Sequence, residues 1–170
     1  MRIRQEEPRD YETVYRVVKA AFESAEQSDG NEQDLVNALR TSKAFIPALS
    51  LVAECGGEIA GHILFTEVRV GGTTQLALAP LSVLPSCQRQ GIGRALIQTG
   101  HEHAAALGYQ YSIVLGSAQY YPKMGYLPAE RCGIKPPFDV PGENFMAYRL
   151  RKDAPAVSGT VRYAEEFGIN

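Results

Sequence analysis

Residues 77–108 read as a strand, a tight polar turn and a long helix, and no other stretch of the chain restricts its fold as much. The apolar run from Ala77 to Leu84 stops at Pro85. Gln88-Arg89-Gln90-Gly91-Ile92-Gly93 follows, and a helical pattern then runs to Gly108. A strand that feeds a helix through such a turn leaves backbone N–H groups unpaired at the helix N-terminus, where they can hold an anion. Gly91 and Gly93 lack a Cβ and let that backbone approach a bulky phosphate closely. The turn therefore reads as a pyrophosphate cradle.

The flanking residues narrow the ligand. A P-loop closes its glycine turn with Lys-Ser or Lys-Thr, and Arg94-Ala95 stands here instead. A dinucleotide fingerprint wants a small residue three positions after Gly93 and an N-terminal βαβ unit; the position is Leu96. Gln/Arg-x-x-Gly-x-Gly after Val83-Leu84-Pro85, followed by Arg94-Ala95-Leu96, resembles the coenzyme A motif of the GNAT superfamily of N-acetyltransferases. The resemblance implies that Gln88, Arg89, Gln90, Gly91, Ile92, Gly93 and Arg94 hold the pyrophosphate of acetyl-CoA, the cosubstrate.

At 170 residues the chain suits one domain over 1–170, large enough to bury about 70% of its unfolded surface. Seventeen Lys and Arg against 19 Asp and Glu leave a net charge of −2, which argues against a nucleic-acid or anionic-membrane partner. No apolar signal segment stands at Met1–Pro8 and no 18-residue apolar run occurs, so a cytoplasmic location is expected. Cys55, Cys87 and Cys132 are too few and too scattered for a disulfide framework or a metal knuckle, and no metal is expected.

The rest of the chain continues an α+β pattern. Arg2–Gln5 reads as a first strand, and Asp10 as the N-cap of a helix to Phe22 with Val14, Val17, Val18, Ala21 and Phe22 on one stripe. Asn31 caps a second helix that turns Leu35, Val36 and Leu39 inward. Strands follow at Leu51–Glu54, Ile59–Val70 and 75–84, with Gly56-Gly57 and Gly71-Gly72 between them. In the helix after the glycine turn, Ile92, Ala95, Leu96, Thr99 and His103 share helical spacing. Tyr111–Leu115 reads as a strand, Ala118–Met124 as a short helix, Phe145–Leu150 as a strand and Thr160–Tyr163 as a final edge strand. This order resembles the GNAT fold from end to end, a three-layer α+β domain with a mixed, mostly antiparallel twisted sheet flanked by helices.

Pro80 cannot donate to a ladder, so a bulge or lapse in pairing is expected near Ala79-Pro80-Leu81. In the GNAT fold two parallel strands splay apart and pantetheine lies in the gap, which assigns its main-chain contacts to Leu81, Ser82 and Val83. The segment Ser117–Tyr126 resembles the family's tyrosine segment, with Tyr121 four residues before Gly125-Tyr126. That resemblance makes Tyr121 the acid that protonates the departing thiolate, with Tyr120 as its rival, since helix neighbours point about 100° apart. An asparagine common near the start of this segment is replaced by Gly116-Ser117, and Ser117 is the candidate for a polar cofactor contact in its place.

Some family members carry a glutamate base in the central strand, but Ala77-Leu78-Ala79-Pro80-Leu81 holds no acid. Glu54, Glu67 and His62 stand on neighbouring strands. His62 shares a face with Leu64 and Thr66, opposite Ile63 and Phe65, and reads either as a base or as a hydrogen-bonded core residue. His101 and His103 face different ways and do not form a metal pair; Cys87 is not needed as a nucleophile for direct transfer. The acceptor is an unidentified amine; Glu26, Glu32 and Asp34 suit a cationic one, and the proline-rich segment 131–139 is a candidate wall. The oligomeric state stays open, a homodimer being one option. Leu35-Val36, Gly61-His62-Ile63, Tyr120-Tyr121 and the glycine turn together resemble a bacterial subgroup of predicted GNAT N-acetyltransferases. The competing reading is a non-catalytic acyl-CoA-binding sensor on the same scaffold.

Overall fold

The computed structural model describes residues 1–25 and 28–169. Along the chain run β1 (Arg2–Gln5), α1 (Tyr11–Phe22), α2 (Glu32–Leu39), β2 (Phe45–Cys55), β3 (Glu58–Val70) and β4 (Thr73–Val83). Then come α3 (Ile92–Ala106), β5 (Tyr111–Leu115), β6 (Leu127–Pro128), β7 (Ile134–Lys135), β8 (Phe145–Arg149) and β9 (Gly159–Arg162). The strands join in the order β1-β2-β3-β4-β5-β8-β6, with β9 beside β3 and β7 beside β9. Tight turns make β2, β3 and β4 an antiparallel meander, whereas α3 carries the chain back so that β5 lies parallel to β4. The result is the mixed, mostly antiparallel sheet flanked by helices that the sequence led us to expect.

Alternation along β3 sorts the core. Ile63 and Phe65 face α3 and pack with Leu96 and Ile97, while Leu64 faces α1 and α2 and packs with Val14, Val18, Val36 and Leu39. Further along the same face as Leu64, Val68 and Val70 join Ala77, Ile113, Phe145 and Phe138 in a third cluster. The stripe on α3 that meets the sheet is Ile92, Leu96, Ile97, Gly100, His101 and Ala104. The expected inward His103 is exposed and Thr99 only half-buried, because the sheet meets the helix about one residue out of phase with the expected stripe. His101 and His103 do face opposite ways.

β4 and β5 pair only at Leu76–Ser112 and Ala77–Ile113. Beyond these residues β4 continues to Val83 against β3, while β5 stays with β8. The register of β4 on β3 shifts between Leu78–Phe65 and Leu81–Ile63, placing one extra residue in β4 around the cis Ala79–Pro80 peptide. This is the bulge expected from a proline that cannot donate to the ladder.

Other local features differ from expectation. Asp10 precedes α1 but makes no side-chain cap to it; its carboxylate takes Arg4 and the Glu7 N–H instead. Asn31 likewise stands at the N-cap position of α2 without a side-chain bond. β2 begins at Phe45 rather than Leu51, and its register shifts between Phe45 and Ser50, around Pro47. The expected helix 118–124 is a turn followed by one 3-10 turn at Tyr121–Met124, ended by left-handed Gly125. β9 is not an edge, since it pairs with β3 on one side and β7 on the other. Glu26 lies outside the described residues.

Candidate active site

A cavity of about 480 Å³ opens where the end of β4, the N-terminus of α3 and residues 120–124 meet. Leu81 and Val83 form its β4 wall. The turn supplies Gln88, Arg89, Gly91, Ile92, Gly93 and Arg94, and Tyr120, Lys123 and Met124 close the far side. Arg89 and Gly91 both adopt left-handed backbone, with φ of 64° and 86°. Such reversals turn successive N–H groups toward one concavity that suits an anion. The first turn of α3 holds no acidic residue, so the positive helix end is uncompensated. At Gly93 the fit is close: a Cβ there would stand 2.6 Å from the Tyr120 hydroxyl.

The gap beside β4 offers main-chain partners. Leu84 N–H donates to Ala60 O at 2.8 Å, so alternation points the polar groups of Ser82 toward β3 and those of Leu81 and Val83 toward the gap. The Val83 carbonyl is met there by the Gln88 side-chain amide at 3.2 Å. Ser82 is different: its side chain is buried on the α1 face, away from the cavity. Gln90 is exposed, and its amide reaches Ser86 O at 3.5 Å.

Two tyrosines follow the gap. Tyr120 stands on the cavity wall, while Tyr121 packs edge-on against Tyr120 and Tyr126, with centroids 5.1 and 5.6 Å apart, and lies across Gly116. Tyr126 is fixed beneath it by Ser112 Oγ at 2.8 Å and His101 Nε2 at 2.9 Å. Burial raises the phenol pKa of Tyr121 well above 10 and holds its proton at neutral pH. Tyr120 is also raised by burial, against a smaller opposing effect of Arg94. Ser117 Oγ accepts the N–H groups of Gln119 and Tyr120, closing the turn that aims both rings.

Some site residues escaped the sequence reading. Lys123 and Met124 join the cavity wall, as does Cys87. Lys123 could have been found from its place two residues after Tyr121. Asn144 brackets Gly116 by two bonds, Gly116 N–H to its carbonyl at 2.9 Å and its Nδ2 to Gly116 O at 3.0 Å. No local pattern reveals a partner 28 residues away. The candidate bases are all engaged or enclosed. Glu67 accepts the Tyr109 hydroxyl at 2.5 Å and Glu54 is paired with Arg4. His62 is fully buried on the α1 face, and Glu32 and Asp34 accept Ser28 and Tyr15 hydroxyls.

The sequence profile of the acetyltransferase (GNAT) family matches residues 11–126, which contain the whole cavity and both tyrosines. The chain belongs to this family. YjhQ of Escherichia coli (strain K12), an uncharacterized N-acetyltransferase, is 39% identical over 142 residues, covering 79% of this chain and 78% of its own. A GNAT family acetyltransferase from Brucella melitensis, solved in complex with acetyl-CoA, superposes with a TM-score of 0.80 at 33% identity, covering 98% of this chain and 97% of that one. YhbS of E. coli, solved in complex with CoA, superposes with a TM-score of 0.88 at 29% identity over 98% and 91% of the two chains. The two solved relatives share this chain's fold. Among its described residues no cluster of His, Cys, Asp or Glu suits a metal ion, and no helix is long and apolar enough to cross a membrane.

Proposed function

We propose that this protein is an acetyl-CoA-dependent N-acetyltransferase, acting as one domain in the cytoplasm, that transfers acetyl directly to a primary amine of a small molecule or protein. The observation that carries the reading is the cavity joining a helix N-terminus without acidic residues to the unpaired edge of β4. The left-handed turn at Arg89 and Gly91, with Arg94 and Lys123, suits the pyrophosphate and its charges. The main-chain groups of Leu81 and Val83 that face the gap suit pantetheine as an added strand, with the Gln88 amide giving up the Val83 carbonyl to it. The acetyl-CoA and CoA complexes of the Brucella and E. coli relatives support the same ligand here.

Direct transfer needs the amine held beside the thioester, and positioning supplies much of the rate. Tyr121, kept protonated by burial, gives its proton to the departing sulfur, while Tyr120 braces the cofactor over Gly93. A second reading, an acyl-CoA-binding sensor without turnover, draws support from the absence of an acid in residues 77–83 and the engagement of Glu54 and Glu67.

Calorimetric titration with acetyl-CoA, against ATP and NAD as controls, tests the ligand, and thiol release across an amine panel tests turnover. Tyr121→Phe is expected to lower kcat about 10²-fold or more while leaving acetyl-CoA affinity within about twofold. Tight binding with no turnover across the panel would establish the sensor instead.

A further inference from the structure

A buried polar row crosses the face of the sheet opposite the cofactor cavity. Arg40, at the end of α2, holds the Glu6 carboxylate with two bonds, Nε at 3.1 Å and Nη2 at 2.6 Å. Ser50 Oγ stands 2.9 Å from Glu6 and 3.0 Å from His62 Nε2. These contacts dictate where the protons sit. A carboxylate paired with Arg40 only accepts, so the Ser50 hydroxyl donates to it. Ser50 Oγ then accepts from His62, which places the imidazole proton on Nε2 and leaves Nδ1 as a bare acceptor.

Nδ1 has no protein partner, and it is fully buried. Directly across the β3–β4 ladder from His62 stands Ser82, on the same face, and its Oγ is likewise buried without a partner. Paired residues of this kind hold their Cβ atoms about 5 Å apart, within reach of a direct or one-water bond. Among the described residues only Thr66 Oγ1 shares this condition. Buried polar atoms left open in this way point to a role beyond packing.

Resting on the acetyltransferase reading, we propose that Ser82 and His62 form the route by which the acceptor amine loses its proton. The cavity lies on the α3 side of β4 and both buried side chains lie on the opposite face, so the relay carries the proton across the sheet from the gap beside β4. The amine nitrogen forms its bond to the acetyl carbon as the carbon–sulfur bond breaks. Sulfur takes the proton of Tyr121, and the nitrogen gives one proton to a water in the gap beside β4, which passes one on through Ser82 Oγ to His62 Nδ1. The resulting imidazolium lies 3.8 Å from Glu6, and both Tyr121 and His62 exchange with solvent after product leaves. The charged groups facing His62 are Glu6 and Arg40; α1 contributes only Val14, Val17 and Val18 to its buried face. Burial lowers the His62 pKa to about 4, so Nδ1 stays unprotonated and available at neutral pH. Both residues act through others and are relay rather than catalytic residues.

Ser82→Ala removes one partnerless oxygen and leaves the ladder intact. With an amine that the wild type acetylates, it is expected to lower kcat at least tenfold while acetyl-CoA Kd and thermal midpoint stay unchanged. His62→Gln, which keeps a donor toward Ser50 but no base, is expected to lower kcat by about 10²-fold with the same unchanged Kd. Nitrogen-15 NMR at pH 7 is expected to show the His62 ring protonated on Nε2. Wild-type kcat in Ser82→Ala, or an Nδ1-protonated ring, overturns the relay and leaves the acetyltransferase standing. A wild type that turns over no amine overturns both.

Discussion

An added methyl group at Gly93 would meet the Tyr120 hydroxyl at 2.6 Å but the ring carbon behind it only at 3.8 Å. The conflict therefore belongs to one oxygen. Gly93→Ala is expected to displace Tyr120, weaken acetyl-CoA about tenfold in calorimetry and cost about 1–3 kcal/mol of stability. In a Tyr120→Phe background the same substitution is expected to cost much less, because the colliding atom is gone. Equal costs in both backgrounds would show that Tyr120 does not control the space above the turn. The glycine was legible as a close-approach position from its motif. That a tyrosine 27 residues later occupies the space above it was not, because the contact depends on how the 117–124 turn folds back.

β4 carries two different edges along one strand. Its β3 side is laddered through Ser82 and Leu84, while Leu81 and Val83 turn their main-chain groups to the gap beyond the short β4–β5 pairing. Hydrogen exchange should report this directly. The Leu81 and Val83 amides are expected to exchange fast in the free protein and become protected when acetyl-CoA is added. Ser82 and Leu84 are expected to be slow in both states. Equal protection of all four amides before ligand would mean that the gap is closed in solution. The bulge was legible from proline chemistry alone. The brief β4–β5 pairing was not, since it requires knowing which strand lies alongside.

Two buried histidines link stability to pH. Burial lowers His62 to about 4, with Glu6 raising it and Arg40 lowering it further, and burial alone lowers His101 to about 4. Above pH 6.5 both are neutral whether folded or unfolded. As pH falls from 6.5 toward 4 the unfolded chain binds protons that the folded one refuses, so stability declines across that window. Each histidine contributes on the order of 3 kcal/mol to this loss. Urea unfolding from pH 7 to pH 4.5 measures it. His101→Phe, which leaves the Tyr126 hydroxyl its Ser112 partner, is expected to flatten the slope by roughly half. An unchanged slope would place the acid sensitivity elsewhere.

The sequence alone determined the strand–turn–helix unit of β4 and α3, the bulge at Pro80 and the face of β3 on which His62 lies. Each follows from local rules: glycine without a Cβ, proline without an N–H, and side chains that alternate along a strand. The α3 stripe and the 118–124 helix were misread, because packing against the sheet set the helix's phase and a 3-10 turn met the same local signals. Only the tertiary structure decided that Tyr121 packs edge-on between Tyr120 and Tyr126, that Asn144 brackets Gly116, and that Arg40, Glu6, Ser50 and His62 meet. Those partners lie up to 56 residues apart, on a helix end, a loop and two strands. Periodicity reaches four residues along a chain; which side chains then share one buried space is settled when the elements pack.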